Sequence, residues 1–102
     1  MAIIEISVMP LGTSSASIGK YVAGAVSILD GETGIKYELT AMGTNVEGDL
    51  KELVRLALQM HQVPFKSGAR RVVTTIKIDD RRDKKISIAG KKGSVRKKLA
   101  RR

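Results

Sequence analysis

Residues 40–50 read TAMGTNVEGDL, and this stretch decides how the rest of the chain folds. Gly43 and Gly48 bracket a short segment in which Val46 is the one core-type aliphatic side chain. Because glycine accepts tight turns and close backbone approach, the pattern predicts a tight connection followed by a brief edge strand. The stretch therefore joins two halves of one small domain.

A helix is predicted to follow this stretch directly, over residues 49–67. Asp49 stands where a helix N-cap belongs, and Glu52 three residues later completes a capping-box pattern. Pro64 is expected to bend or end the helix. The apolar stripe of this helix, at spacings of three and four, is expected to contain Leu50, Leu53, Val54, Ala57, Met60 and His61.

Alternation of apolar and polar residues predicts strands at 2–9, 35–41 and 71–78. A first helix is expected between the first two strands, with a serine-rich lead at 14–17 that offers several N-caps. Its apolar stripe contains Ile18, Tyr21, Val22, Ala25, Ile28 and Leu29. The low aromatic content of 3% means that the core must be built from aliphatic side chains.

The resulting order β-α-β-β-α-β predicts an α+β, ferredoxin-like domain in which two helices cover one face of an antiparallel sheet. The opposite face, called the open face below, mixes apolar and polar residues. Its predicted members are Ile3, Glu5, Ser7, Met9, Glu38, Thr40, Met42, Val73, Thr75 and Lys77. A bare mixed face is unusual on a small protein, so sheet-to-sheet packing in a dimer is expected.

The net charge of +9 is confined to the end of the chain. Residues 81–102 contain eleven Lys or Arg and one acid, a net +10, whereas residues 1–80 contain eight basic and nine acidic residues, a net −1. We therefore divide the chain into a ferredoxin-like domain at 1–85 and a basic extension at 86–102. The extension is expected to be frayed or to pack on a neighbouring subunit, with a short strand at 86–88 and a final helical turn or two at 94–99.

Three motifs in the chain occur together in a known family: ISVMPLGTS at 6–14, MGTNVEG at 42–48 and TIKIDDRRDK at 75–84. With these motifs in this order, the chain resembles the thiamine-binding, YkoF-like family of small ferredoxin-like proteins. The resemblance implies a homotetramer of sheet-packed dimers that binds thiamine or its hydroxymethylpyrimidine portion, without known catalysis and without a cofactor. The strongly basic tail departs from the family pattern and leaves room for a further partner.

An aminopyrimidine presents an amino donor and ring-nitrogen acceptors, so its site needs carboxylate or hydroxyl partners and flat apolar walls. A carboxylate would also suit the positive thiazolium ring of thiamine. The open face and the connecting stretch offer candidates of these kinds. The predicted ligand-binding residues are Glu5, Ser7, Met9, Glu38, Thr40, Met42, Thr44, Glu47 and Thr75.

Each candidate also has a structural explanation. Glu5 and Glu38 can pair with lysines across the sheet, and Glu47 can be a charge that protects an edge strand. The serine and threonine hydroxyls can bond locally, and the two methionines can fill a dimer core. These structural explanations together support another hypothesis, a purely structural tetramer whose sheet faces cover each other completely.

No catalytic or metal site is predicted, because the sequence has no nucleophile triad or P-loop, no cysteine, and one isolated histidine, His61. Asp79, Asp80 and Asp83 alternate with basic residues, which favours a salt-bridged turn over a cation site. No apolar run approaches the roughly 20 residues of a membrane span, so we expect a cytoplasmic protein without membrane contact.

The basic tail supports an alternative hypothesis, a small nucleic-acid-associated protein. Its cations would bind phosphates by releasing counterions. The tail has no aromatic residue on which bases could stack, which counts against this hypothesis. The nucleic-acid hypothesis predicts RNA binding with a steep salt dependence, and this binding should disappear when residues 91–102 are deleted.

Overall fold

The computed structural model describes residues 1–13 and 18–101 and confirms the predicted α+β fold. The elements are β1 Ala2–Leu11, α1 Gly19–Val26, β2 Lys36–Leu39, β3 Thr44–Gly48, α2 Leu50–Lys66, β4 Arg71–Asp80 and α3 Ile88–Ala100. The four strands form one antiparallel sheet in the order β2-β3-β1-β4. The prediction of an edge strand after Gly43 is wrong, because β3 pairs with β2 on one side and with β1 on the other. A short 3-10 turn, Ser27–Leu29, follows α1.

The core lies between the sheet and the pair α1 and α2. Alternate residues of β1 point towards these helices, and Ile4 is paired with Val46 of β3 on one side and with Ile78 of β4 on the other. The side chains between the layers are aliphatic, as the composition predicts. The buried cluster consists of Ala2, Ile4, Ile6, Ala25, Leu29, Val46, Leu53, Leu56, Ala57 and Met60.

Several predicted details of the helices change in the structure. Asp49 occupies the N-cap position of α2, but its side chain makes no capping hydrogen bond. The capping box is therefore wrong, because Glu52 instead accepts hydrogen bonds from Arg55, at 2.7 and 3.0 Å. Pro64 lies in the last turn of α2, and the helix ends two residues later. The N-caps predicted at 14–17 lie outside the described residues.

The basic extension forms a 13-residue helix, α3, rather than a short final turn. The predicted strand at 86–88 is wrong because Ser87 caps this helix, its hydroxyl accepting the Gly90 N–H at 2.9 Å. Ile86 is buried just before the cap. No residue of α3 is buried, and its apolar residues Val95 and Leu99 are 57% and 50% exposed. The second half of α3 therefore projects from the domain.

The first turns of α3 rest on the open face of the chain's own sheet. Glu47 is 7% exposed, and its carboxylate accepts the backbone N–H of Ile88 at 3.0 Å. Lys91 pairs with Asp79, and Lys92 Nζ lies 3.0 Å from Glu38 Oε2. The same chain thus covers one end of the open face. Met9 and Val73, at the other end, are both 45% exposed.

Candidate functional site

A notch opens beside β1 because its two neighbouring strands differ in length. The pairing of β1 with β4 continues to Leu11, but its pairing with β3 stops where Ile6 meets Thr44. Residues 7–11 therefore have a sheet neighbour on one side only. Pro10, which has no backbone N–H to donate, falls in this one-sided segment, where proline is best tolerated.

Helix α1 and the turn at 40–43 enclose the vacant side of β1 in a cavity of about 200 Å³. We call this cavity the β1 notch. Its lining residues are 6–9, 18, 22, 25, 26, 39–44 and 60.

The turn at 40–43 is held by the Thr40 hydroxyl and by Gly43. The hydroxyl oxygen of Thr40 accepts the Gly43 N–H at 3.1 Å and lies 2.8 Å from the Gly43 carbonyl oxygen, to which it donates. A Cβ added to Gly43 would lie 3.0 Å from the backbone oxygen of Ile6. The close approach expected of this glycine is confirmed, and it fixes the turn against β1.

The chemistry of the β1 notch is apolar, with hydroxyl groups as its polar side chains. None of the lining side chains is titratable. Thr44 is only 3% exposed, yet its hydroxyl has no hydrogen-bond partner within residues 1–13 and 18–101. No fully buried side-chain polar atom in that part of the chain lacks a partner. The Thr44 oxygen therefore keeps some accessible surface, and because Thr44 lines the notch, a ligand there could bond to it.

The structure divides the nine predicted site residues into two groups and one outlier. Those that line the β1 notch are Ser7, Met9, Thr40, Met42 and Thr44. The three carboxylates instead lie on the open face near α3. Glu5 Oε1 is 3.7 Å from Lys77 Nζ, and Glu38 and Glu47 make the α3 contacts given above. Thr75 is exposed on the open face, opposite Ser7 in the register.

The sequence analysis missed the α1 wall of the notch. Val22 and Ala25 were predicted as ordinary core positions, and Val26 was not singled out, but all three line the cavity. A signal was present in the sequence: the small side chain of Ala25 lies in a stripe of larger residues, and small residues leave space beneath a helix.

The groups whose pKa values are shifted lie outside the notch. The Tyr37 hydroxyl donates to Asp30 at 2.5 Å, and this hydrogen bond raises the pKa of Tyr37. Arg81 donates to Asp83 at 2.6 Å, which lowers the pKa of that carboxyl group. The Arg81–Asp83 pair, with Arg82–Asp80 at 3.2 Å, confirms the predicted salt-bridged turn.

The fold and the notch define a class, a ferredoxin-like domain with a ring-sized apolar cavity beside its first strand. The chain matches the family described as thiamine-binding protein over residues 4–96 and belongs to that family. Because this is a family of binding proteins, membership assigns the chain a small-molecule binding role. Among the described residues, no helix combines the length and the apolar character needed to cross a membrane.

Related sequences and structures span nearly the whole chain. UPF0045 protein YqgV of Bacillus subtilis is 45% identical, with 97% of this chain and 98% of the relative covered. The crystal structure of hypothetical protein MJ1052 from Methanocaldococcus jannaschii is similar with a TM-score of 0.83 and 36% identity, over 92% of this chain and 94% of that one. The structure of a domain of unknown function, DUF77, from Bacillus cereus is similar with a TM-score of 0.75 and 29% identity, over 85% of this chain and 82% of that one.

Proposed function

We propose that the protein binds thiamine or its hydroxymethylpyrimidine portion without catalysis, and that the pyrimidine ring occupies the β1 notch. Family membership supports the ligand class. The observation that carries the location is the unpartnered hydroxyl of Thr44 in an apolar cavity. A hydroxyl can both donate and accept, so it can bond to the amino group or a ring nitrogen of an aminopyrimidine.

The size of the notch supports a single ring rather than a larger ligand. Its volume of about 200 Å³ is below the roughly 300 Å³ at which sites for drug-sized ligands begin. Aliphatic side chains and Met9, Met42 and Met60 supply the walls, and the methionine sulfurs are polarisable enough to pack against a ring. Thiamine bound in this way would leave its thiazolium ring outside the notch.

We further propose that the protein assembles through its open face, as a homotetramer of sheet-packed dimers. Met9 and Val73 support this assembly, since both are 45% exposed on the part of that face that α3 does not cover. Met9 also lines the β1 notch, so the ligand site would lie close to the subunit interface.

The Thr44→Val variant tests the ring site. We expect roughly fivefold to tenfold weaker binding of thiamine and of hydroxymethylpyrimidine by calorimetry, because one hydrogen bond to the ligand is lost. The melting temperature should stay constant or rise, since the variant removes a nearly buried hydroxyl that has no partner in the free protein. Weaker binding without loss of stability separates a ligand contact from a structural role.

Thr33→Val is the matched control, because it makes the same change at an exposed position outside both the notch lining and the open face. Its affinity for both compounds should equal that of the wild type. Equal affinity in the Thr44→Val variant would contradict the location in the notch. No heat and no thermal shift with either compound at millimolar concentration would contradict the ligand class itself.

A further inference from the structure

A second cleft adjoins the β1 notch at the end of β1. Its volume is about 500 Å³, and its lining includes Leu11, Gly12, Tyr21, Arg70 and Arg71. Leu11 follows two residues after Met9 of the notch, and Tyr21 precedes Val22 of the notch on α1. The two cavities are therefore neighbours along the same strand and the same helix. We call the second one the arginine cleft.

The arginine cleft is positively charged, in contrast to the notch. Arg70 and Arg71 are both exposed, and neither side chain makes an ion pair or a hydrogen bond with any residue in 1–13 or 18–101. No carboxylate is among the lining residues. This is unlike the other arginines of the folded body and the turn after β4, since Arg55, Arg81 and Arg82 each face an acidic partner.

From this arrangement we infer that the ligand carries a phosphate ester, with its ring in the β1 notch and its phosphate between Arg70 and Arg71. This inference rests on the function proposed above. Arginine binds phosphate through two parallel N–H donors, and a dianion matches two guanidinium groups better than a single carboxylate does. A ligand that reaches from Met9 to Leu11 spans about 7 Å along the strand.

The phosphate also answers a problem of charge in the proposed function. Thiamine has a positive thiazolium ring, which would lie outside the notch, and no carboxylate lines either the notch or the adjoining arginine cleft to balance it. In a phosphate ester, the negative charge belongs to the ligand itself and is bound by the arginine cleft. The same chemistry is available from two sources, thiamine monophosphate and the monophosphate of hydroxymethylpyrimidine.

The test compares each ester with its unphosphorylated parent by calorimetry on the full-length protein. We expect at least one ester to bind roughly tenfold or more tightly than its parent, because hydrogen bonds to a charged group are gained. The ester that shows the gain identifies the source. The Arg70→Gln/Arg71→Gln variant should lose the gain and keep the affinity for the parent compound.

Lys97→Gln/Lys98→Gln is the control, since it also removes two positive charges, but from the exposed second half of α3. It should keep the gain. An equal loss in both variants would mean that net charge alone attracts the ester, and the inference would be overturned. A second measurement needs no variant: inorganic phosphate should weaken the binding of the ester to the wild-type protein until it matches that of the parent, and it should leave the affinity for the parent unchanged.

The outcomes distinguish this inference from the proposed function. If both parents bind and neither ester binds more tightly, the phosphate site is wrong and the ring site stands. If none of the four compounds binds, both proposals fail.

Discussion

Leu53→Ala should lower the free energy of unfolding by about 3 kcal/mol, within the range for deletion of a buried leucine side chain. Leu53 has no exposed surface. Its Cδ2 atom would lie 3.3 Å from a Cβ added to Gly48, so it packs directly beneath β3. The cost is large for a small domain, whose whole stability is about 5–15 kcal/mol. Urea denaturation followed by circular dichroism measures the change.

Leu58→Ala is the matched control on the same helix, because Leu58 is 58% exposed. It should change the stability by less than about 0.5 kcal/mol, as surface substitutions usually do. If the two variants lost equal stability, α2 would not pack on the sheet through the face described here.

Glu47→Ala should detach the first turn of α3 from the sheet. The variant removes the acceptor of the Ile88 N–H and leaves that donor without a partner at a half-buried position. We expect a local loss of about 2 kcal/mol, or roughly thirtyfold faster hydrogen exchange of the amides in the first turns of α3. Trypsin should also cut more rapidly after Lys91 and Lys92, which the attached helix holds close to the sheet.

Glu38→Ala provides the comparison, because Glu38 contacts α3 through an ion pair between partly exposed side chains. Such pairs contribute at most about 1 kcal/mol, so hydrogen exchange should change much less than in Glu47→Ala. Glu47→Gln should fall between the wild type and Glu47→Ala, since the amide oxygen can still accept the Ile88 N–H. Unchanged exchange in Glu47→Ala would show that Ile86 and the lysine pairs suffice to hold α3.

The sequence predicted the sheet and its two covering helices because alternation and helical periodicity are local signals. The faces of β1 and β4 follow directly from their alternation, down to the position of Lys77 beside Glu5. Leu56 shows where periodicity fell short. It is buried, but it lies to one side of the predicted stripe, because α2 touches α1 as well as the sheet.

The candidate site was harder to predict because it depends on contacts between distant parts of the chain. Thr40, Met42 and Thr44 line the same cavity as Ser7 and Met9, because the connecting stretch approaches β1. The difference in length between β3 and β1, which creates the notch, has no local signature. The position of Glu47 beneath Ile88 likewise depends on residues 41 positions apart.

The projecting half of α3 also governs how the molecule behaves in an electric field. Arg96, Lys97, Lys98 and Arg101 extend from a body whose charges nearly cancel, so the protein is strongly dipolar. Cation-exchange resin would therefore capture the protein mainly by this end, and a chain clipped within α3 should elute early from such a resin.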